Sequence, residues 1–280
     1  SFYLDISEEV CKDSGAYVET SVNSRTERIK LSDAQMVSKH YIIPVPVTAK
    51  EIGSTITARL VYGDAVTTVY TYSAKQYCDA ILAKPTNITY APYVELVKAL
   101  LNYGGYAQKY FDFNTGALVN SGLYTAENDP VKTKVLPSKD IVKEGTLPTG
   151  LSHKMASLVL ESDITIRHYF ELTGGKNISD FTFTANGKTV TPVASGSLYY
   201  VDIDGITPRQ IDREFAVSAS DGVSTYTAKY SALTYASRKS GSADTSLVEL
   251  LRAMALYNDA ADALPAVLYY EVSGNTVTRV

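Results

Sequence analysis

The alternation of apolar and polar positions divides the chain into two strand-rich stretches, each followed by a helical one. Residues 1–72 and 151–230 alternate apolar with polar side chains, are rich in Thr, Val and Tyr, and are broken by turn residues. That is the pattern of short, half-buried strands. The clearest hairpin runs from Phe181 to Val190, with Asn186-Gly187 supplying the two positive-φ positions of a tight type I′ turn. Behind each strand-rich stretch the apolar period becomes helical. Leu96, Leu100, Tyr103, Ala107 and Tyr110 form one stripe, and Leu250, Met254, Tyr257, Ala261 and Leu264 form another. Spacings of four and three put each set on one face of a long helix. Shorter helices are predicted before them, around Ala74, Tyr77, Cys78 and Ile81 and around Ala232, Tyr235 and Ala236. Ser246 with Glu249 reads as a capping box for the second long helix. Pro92 takes the equivalent place in the first, where a missing N–H costs little.

The two halves are written alike. Val94-Glu95-Leu96-Val97-Lys98-Ala99-Leu100 returns as Val248-Glu249-Leu250-Leu251-Arg252-Ala253-Met254, and Tyr72-Ser73-Ala74 with Tyr77 as Tyr230-Ser231-Ala232 with Tyr235. Tyr41, Thr48 and Ile52 meet Tyr200, Thr207 and Ile211, so Lys50–Gly53 and Arg209–Asp212 read as matching connections between strands. A repeat of roughly 155 residues suits modular scaffolds and binding arrays better than single-site enzymes. The predicted architecture is α+β: two tandem β-sandwich units, each followed by an antiparallel helix pair. Residues 1–115 form the first, 151–280 the second, and 116–150, with Pro130, Pro137 and Pro148, a connector that carries one or two edge strands. Leu268 to Val277 reads as a final hairpin.

Composition narrows the function classes. The net charge of −4 is spread without a basic block, which argues against nucleic acid, whose phosphates need clustered cations. The longest apolar runs, such as Tyr41–Val47, are far shorter than the roughly 20 residues of a bilayer span, so no membrane insertion is expected. The chain opens on Ser1-Phe2-Tyr3 with neither an initiator Met nor a signal peptide and is expected to be a monomeric piece of a longer, multidomain protein. Cys11 and Cys78 are the two cysteines; a bond between them is left open, and Cys78, which aligns with Ala236, is expected at a small buried position.

Little in the chain points to a reaction. His40, His153 and His168 fall outside metal-ligand spacing and do not recur between the copies, so each reads as a satisfied surface or core histidine. Neither cysteine has a nearby His, and no nucleophile elbow, phosphate loop or dinucleotide fingerprint is present. Asp202-x-Asp204-Gly205 starts like a calcium loop but does not continue as one, and reads as a strand end or turn. No cofactor and no metal are expected. Gly104-Gly105 in mid-helix, replaced by Asn258-Asp259 in the second copy, marks close packing or the backbone approach of a partner. The chain holds 22 Tyr and no Trp; Tyr is common both in sheets and at protein-recognition hot spots.

Leu100-Leu101-Asn102-Tyr103-Gly104-Gly105-Tyr106-Ala107-Gln108-Lys109-Tyr110-Phe111, then Asn114-Thr115, with Tyr72 to Leu82 before it, resembles a phrase recurrent in large secreted proteins of gut clostridia. Ala156-Ser157-Leu158, Asn186-Gly187-Lys188 and Tyr199-Tyr200-Val201 belong to the same likeness in the second copy. One group the chain resembles is the immunoglobulin-binding superantigens of gut commensals, surface proteins that capture antibody variable regions outside the antigen site. The resemblance implies a non-enzymatic extracellular module, at the cell surface or wall, that binds a host protein, with immunoglobulin first. The alternatives are a carbohydrate- or cell-wall-binding module and a structural spacer. The expected partner surface is Tyr106 and Lys109, which the second copy replaces with Ala260 and Ala263, with Tyr62 and Tyr70 on adjoining strands. The competing reading of Tyr106 is that it covers the edge of the core.

Overall fold

A computed structural model describes residues 1–7, 10, 15–37, 40–160, 164–264, 270–273 and 276–279. The fold is mixed α+β, built mostly from antiparallel strands, and the chain divides into two compact units, Ser1–Leu123 and Tyr124–Val280.

In the first unit the strands are β1 (Phe2–Leu4), β2 (Tyr17–Val22), β3 (Arg25–Lys30), β4 (Gln35–Val37), β5 (His40–Ile43), β6 (Ile56–Tyr62), β7 (Ala65–Val66) and β8 (Tyr70–Tyr72). They form a three-stranded sheet, β1-β5-β4, and a second sheet, β3-β2-β6-β7, in which β8 also pairs with β6. Alternation explains their facing: β2 shows alternate buried residues, Val18, Thr20 and Val22. Phe2, Leu4 and Ile43 of one sheet pack into one core cluster with Val18, Ala58 and Leu60 of the other. Two helices follow, α1 (Ala74–Leu82) and α2 (Val94–Tyr110). They share a second cluster with Ile52 and Val119, so residues 116–123, expected in a connector, belong to this unit.

The second unit opens with a short helix, α3 (Pro130–Thr133), and the strands β9 (Val142–Gly145), β10 (Leu151–Val159) and β11 (Ile164–Leu172). After them come β12 (Thr182–Ala185), β13 (Lys188–Val190), β14 (Val193–Ser195), β15 (Leu198–Ile206), β16 (Phe215–Ser220) and β17 (Thr225–Tyr230). The helices α4 (Ala232–Lys239) and α5 (Thr245–Asp262) follow, then the hairpin of β18 (Tyr270–Ser273) and β19 (Thr276–Arg279). The sheets are β10-β11-β15-β14 and β13-β12-β16-β17-β9, and the T-shaped contact of Phe170 with Phe183, 5.1 Å between centroids, joins them. The β12–β13 turn is as predicted, with Asn186 at φ 48° and Gly187 at φ 78°.

The repeat reappears in the hydrogen bonds. Thr48 and Thr207 each open a 3-10 turn whose third residue, Glu51 or Gln210, accepts from the threonine's backbone N–H at 3.0 Å. The Ile52 carbonyl then accepts from Lys75 N at 2.8 Å, and that of Ile211 from Leu233 N at 2.9 Å. Ser73 and Ser231 cap the short helices, accepting from Gln76 N and Thr234 N. Burial of Glu51 by itself would raise its carboxyl, but hydrogen bonds from Thr48 and Asn23 and the charge of Arg25 outweigh it and hold the group below the ordinary value.

Two helix expectations are corrected. In α2 the buried face is Val97, Leu101, Tyr103 and Ala107, whereas Leu96, Leu100 and Tyr110 are half-buried. From Leu101 to Gln108 every residue is buried, because this half of the helix is enclosed on more than one side, with Ile52 of the 3-10 turn and Val119 and Asn120 of the following loop packed against it. The cap of α5 is Asp244, whose carboxylate accepts from Leu247 N at 3.0 Å, rather than Ser246, which donates to that carboxylate from the first turn. A carboxylate there satisfies an orphan N–H and offsets the positive end of the helix, which a hydroxyl cannot do as well.

The Gly104-Gly105 pair is a packing device. A Cβ on Gly104 would lie 2.8 Å from Ile52 Cδ1 and 3.0 Å from the backbone oxygen of Ala49, and one on Gly105 would lie 2.0 Å from Asn120 Oδ1. Asn120 donates to the buried Asn102 at 2.7 Å, so it cannot turn aside without breaking that bond. Gly105→Ala is therefore expected to destabilise the chain by about 1–3 kcal/mol despite alanine's helix propensity. Gly116→Ala, where no atom lies within 4 Å of the added Cβ, is the control. Equal urea midpoints for the two variants would contradict this account.

Candidate functional site

The four residues expected to meet a partner separate. Tyr106 is 1% exposed, one of the largest buried side chains, within the stretch Leu101–Gln108 that is buried throughout. It cannot offer a side chain to a partner, and the reading in which it covers the core holds. Lys109 is exposed but lays its ammonium over the Tyr106 ring, 4.6 Å from the centroid. Tyr62 is half-buried and packs against the first unit's core. Tyr70 lies elsewhere, exposed, in a groove.

That groove lies between β1 and the β6–β8 side of the opposite sheet. It encloses about 450 Å³ and is lined by Phe2, Leu4, Ala58, Leu60, Tyr70 and Tyr72, with Asp5 and Arg59 among its polar residues. A second hollow of about 520 Å³ shares Phe2, Tyr3 and Tyr72 with it and reaches Tyr77 on α1 and Leu100 on α2. Leu100 is half-buried because this hollow opens beside it. Tyr3, Tyr70 and Tyr77 are each more than half exposed, and Tyr72 is 41% exposed. Rings with an apolar body and a hydroxyl tip, set along an apolar floor, suit recognition of a polypeptide or a flat ligand. Reading the sequence selected Tyr70 and passed over Phe2, Tyr3, Tyr72 and Tyr77. Tyr72 and Tyr77 recur in the second copy and looked like scaffold, and nothing in alternation says that a recurring residue has lost its cover.

The second unit brings together two histidines that spacing kept apart. His168 Nδ1 lies 3.2 Å from His153 Nε2, and His153 Nδ1 lies 2.9 Å from the Tyr226 hydroxyl. The rings stack with centroids 5.2 Å apart. A β-bulge between His153 and Met155 reverses the alternation of β10, so His153 shares the inner face with Ala156 and Leu158. His168 is fully buried, and its Nε2 has no hydrogen-bond partner among the described residues. Burial, with the charge of Lys143 added, lowers His153 to about 4; burial, then the neighbouring His153, lowers His168 to about 3. Both are neutral at neutral pH. Desolvation likewise raises Tyr226 and Tyr230 to about 12.

The remaining candidates are structural. Arg167 holds Asp202 through two bonds of 2.7 Å, and Thr165 donates to Asp204. Cys78 is a buried free thiol, raised to about 11 by burial; Cys11 lies outside the described residues. Among the described residues no three His, Cys, Asp or Glu side chains gather as a metal site, and no helix is long and apolar enough to cross a membrane. No family model, curated protein or solved structure matches the chain.

Proposed function

We propose that the chain is a non-enzymatic binding module of an extracellular bacterial surface protein that captures a host protein, immunoglobulin first, through the tyrosine groove of its first unit. In this reading the chain is two tandem β-sandwich units, each closed by an antiparallel helix pair, one copy keeping a shared scaffold and the other offering a recognition surface. The observation that carries it is the contrast between Tyr72, 41% exposed in the groove, and the aligned Tyr230, 1% exposed. Tyrosines give large contact area at low entropy cost, and a few of them can dominate an interface. Several such modules on one cell would add avidity.

Human serum or secreted antibody passed over the immobilised chain is expected to leave an antibody band. Tyr70→Ala with Tyr72→Ala should weaken capture by at least about 1 kcal/mol without changing the melting temperature. Exposed rings in a groove also favour a second reading, a carbohydrate- or cell-wall-binding module. Retention of glycan or peptidoglycan without antibody would replace the first reading with that one.

A further inference from the structure

The two units differ in which strand positions are filled. In the first, β8 lies on β6 with Ile56 opposite Tyr72 and Ala58 opposite Tyr70. In the second, β17 lies on β16 with Phe215 opposite Tyr230 and Val217 opposite Ala228. In each, the next residue, Ser73 or Ser231, caps a helix, so Tyr72 and Tyr230 occupy the same place on the same face. What covers Tyr230 is visible. The His168 ring of β11 meets it edge-on at 6.0 Å, and His153 of the neighbouring β10 meets Tyr226 at 5.5 Å. The outer edge of β17 is closed by β9, with Lys143 opposite Ala228.

Among the described residues the first unit has neither cover. Its smaller sheet, β1-β5-β4, ends at β1, and β8 pairs with β6 alone among the described residues. Two strand positions filled in one unit are thus open in the other, and they flank the groove. The β8 edge, Val69-Tyr70-Thr71-Tyr72, is exposed and holds none of the charges or prolines that usually blunt a free edge.

We infer that this groove accepts an extended strand of a partner polypeptide, which pairs with the free edge of β1, as β10 does with β11, and lays apolar side chains over Tyr70 and Tyr72. The inference rests on the reading of the chain as a protein-binding module. Strand addition uses main-chain hydrogen bonds for affinity and side-chain pockets for specificity. Because alternate residues face alternate sides, and the floor is Phe2, Leu4, Ala58 and Leu60, the strand must carry apolar residues at every second position.

Short random peptides displayed on phage and selected on the whole chain test this directly. The selected peptides should alternate apolar with polar residues and should slow hydrogen exchange at those β1 amides that face away from β5. Tyr70→Lys with Tyr72→Lys, at exposed positions that leave folding intact, should weaken them at least about tenfold. Failure to recover peptides, selected sequences without alternation, full binding to the double variant, or unprotected β1 amides would each overturn the inference. A dimer of the chain itself that the same substitutions abolish would also overturn it, making the occupant a second copy. Peptide binding without antibody capture would sink the immunoglobulin reading alone, whereas antibody capture that ignores the double variant would sink strand addition and place the antibody site outside the groove.

Discussion

Met254→Ala is expected to lower the unfolding free energy of the second unit by about 2–5 kcal/mol, the largest effect of any single truncation considered for this chain. Met254 is fully buried in the middle of α5, on a face that also buries Leu250, Leu251 and Ala255. Its removal leaves a cavity that close-packed neighbours cannot fill. Leu100 holds the aligned place on α2 but borders the open hollow beside Tyr77, so part of its side chain is already in water. Leu100→Ala is accordingly expected to cost less than Met254→Ala, and less than Leu101→Ala, whose side chain is 2% exposed. Urea unfolding of the whole chain, with a midpoint for each unit, measures this order. A loss under about 0.5 kcal/mol for Met254→Ala, the range of ordinary surface changes, would mean that the helix face is wrongly placed.

That comparison also shows what the sequence can and cannot say. Spacings of three and four identify both long helices, but they do not say how much of a helix's circumference its surroundings cover. The loop at Val119 and the 3-10 turn at Ile52 enclose Leu101 to Gln108 and so bury Tyr106, while Leu96 and Leu100 stay half-buried. Asn186-Gly187 is legible because a tight turn demands positive φ at two successive positions, a purely local requirement. The matched turns at Thr48 and Thr207 are legible for the same reason, since each capping contact spans three residues. Glu51 and Gln210 do the same work there with different charge, within the two connections that the repeat pairs. The helical phrase around Asn102, Gly105 and Gln108 proves to be a docking motif for its own loop: Gln108 accepts from Val119 N at 2.8 Å and donates to the Ala117 carbonyl. The groove was not legible, because its existence depends on which strands lie beside β1 and β8, a non-local fact. The histidine pair was hidden by one bulged residue in β10.

Lowering the pH from 6.5 to about 4 is expected to destabilise the second unit while the first is affected little. Unfolded histidines take up a proton near pH 6.5. In the folded unit His153 and His168 resist it until about pH 4 and 3, because burial penalises the charge. Within that window the unfolded chain binds more protons than the folded one, so stability rises with pH and is complete above 6.5. The sign follows from depressed basic groups: neutral rings must charge as the chain unfolds. The 3.2 Å contact needs one N–H and one bare nitrogen, so the pair can take up at most one proton without breaking it. The other groups facing the pair do not relieve it: Lys143 adds positive charge, and Tyr226 and Tyr230 stay neutral. At 1.36 kcal/mol per pKa unit, the loss by pH 4 is on the order of 3 kcal/mol for His168. The carboxylates held below their ordinary values, Glu51, Asp221 and Asp244, lose their contribution only at lower pH, so the upper part of the window belongs to the histidines. His168→Leu, which replaces a ring whose Nε2 is unpaired with an apolar side chain against Tyr230, should reduce the fall of the second unit's urea midpoint between pH 6.5 and 4.5, leaving the share that His153 contributes. A slope unchanged by that substitution would show that the buried pair does not govern the acid sensitivity of this unit.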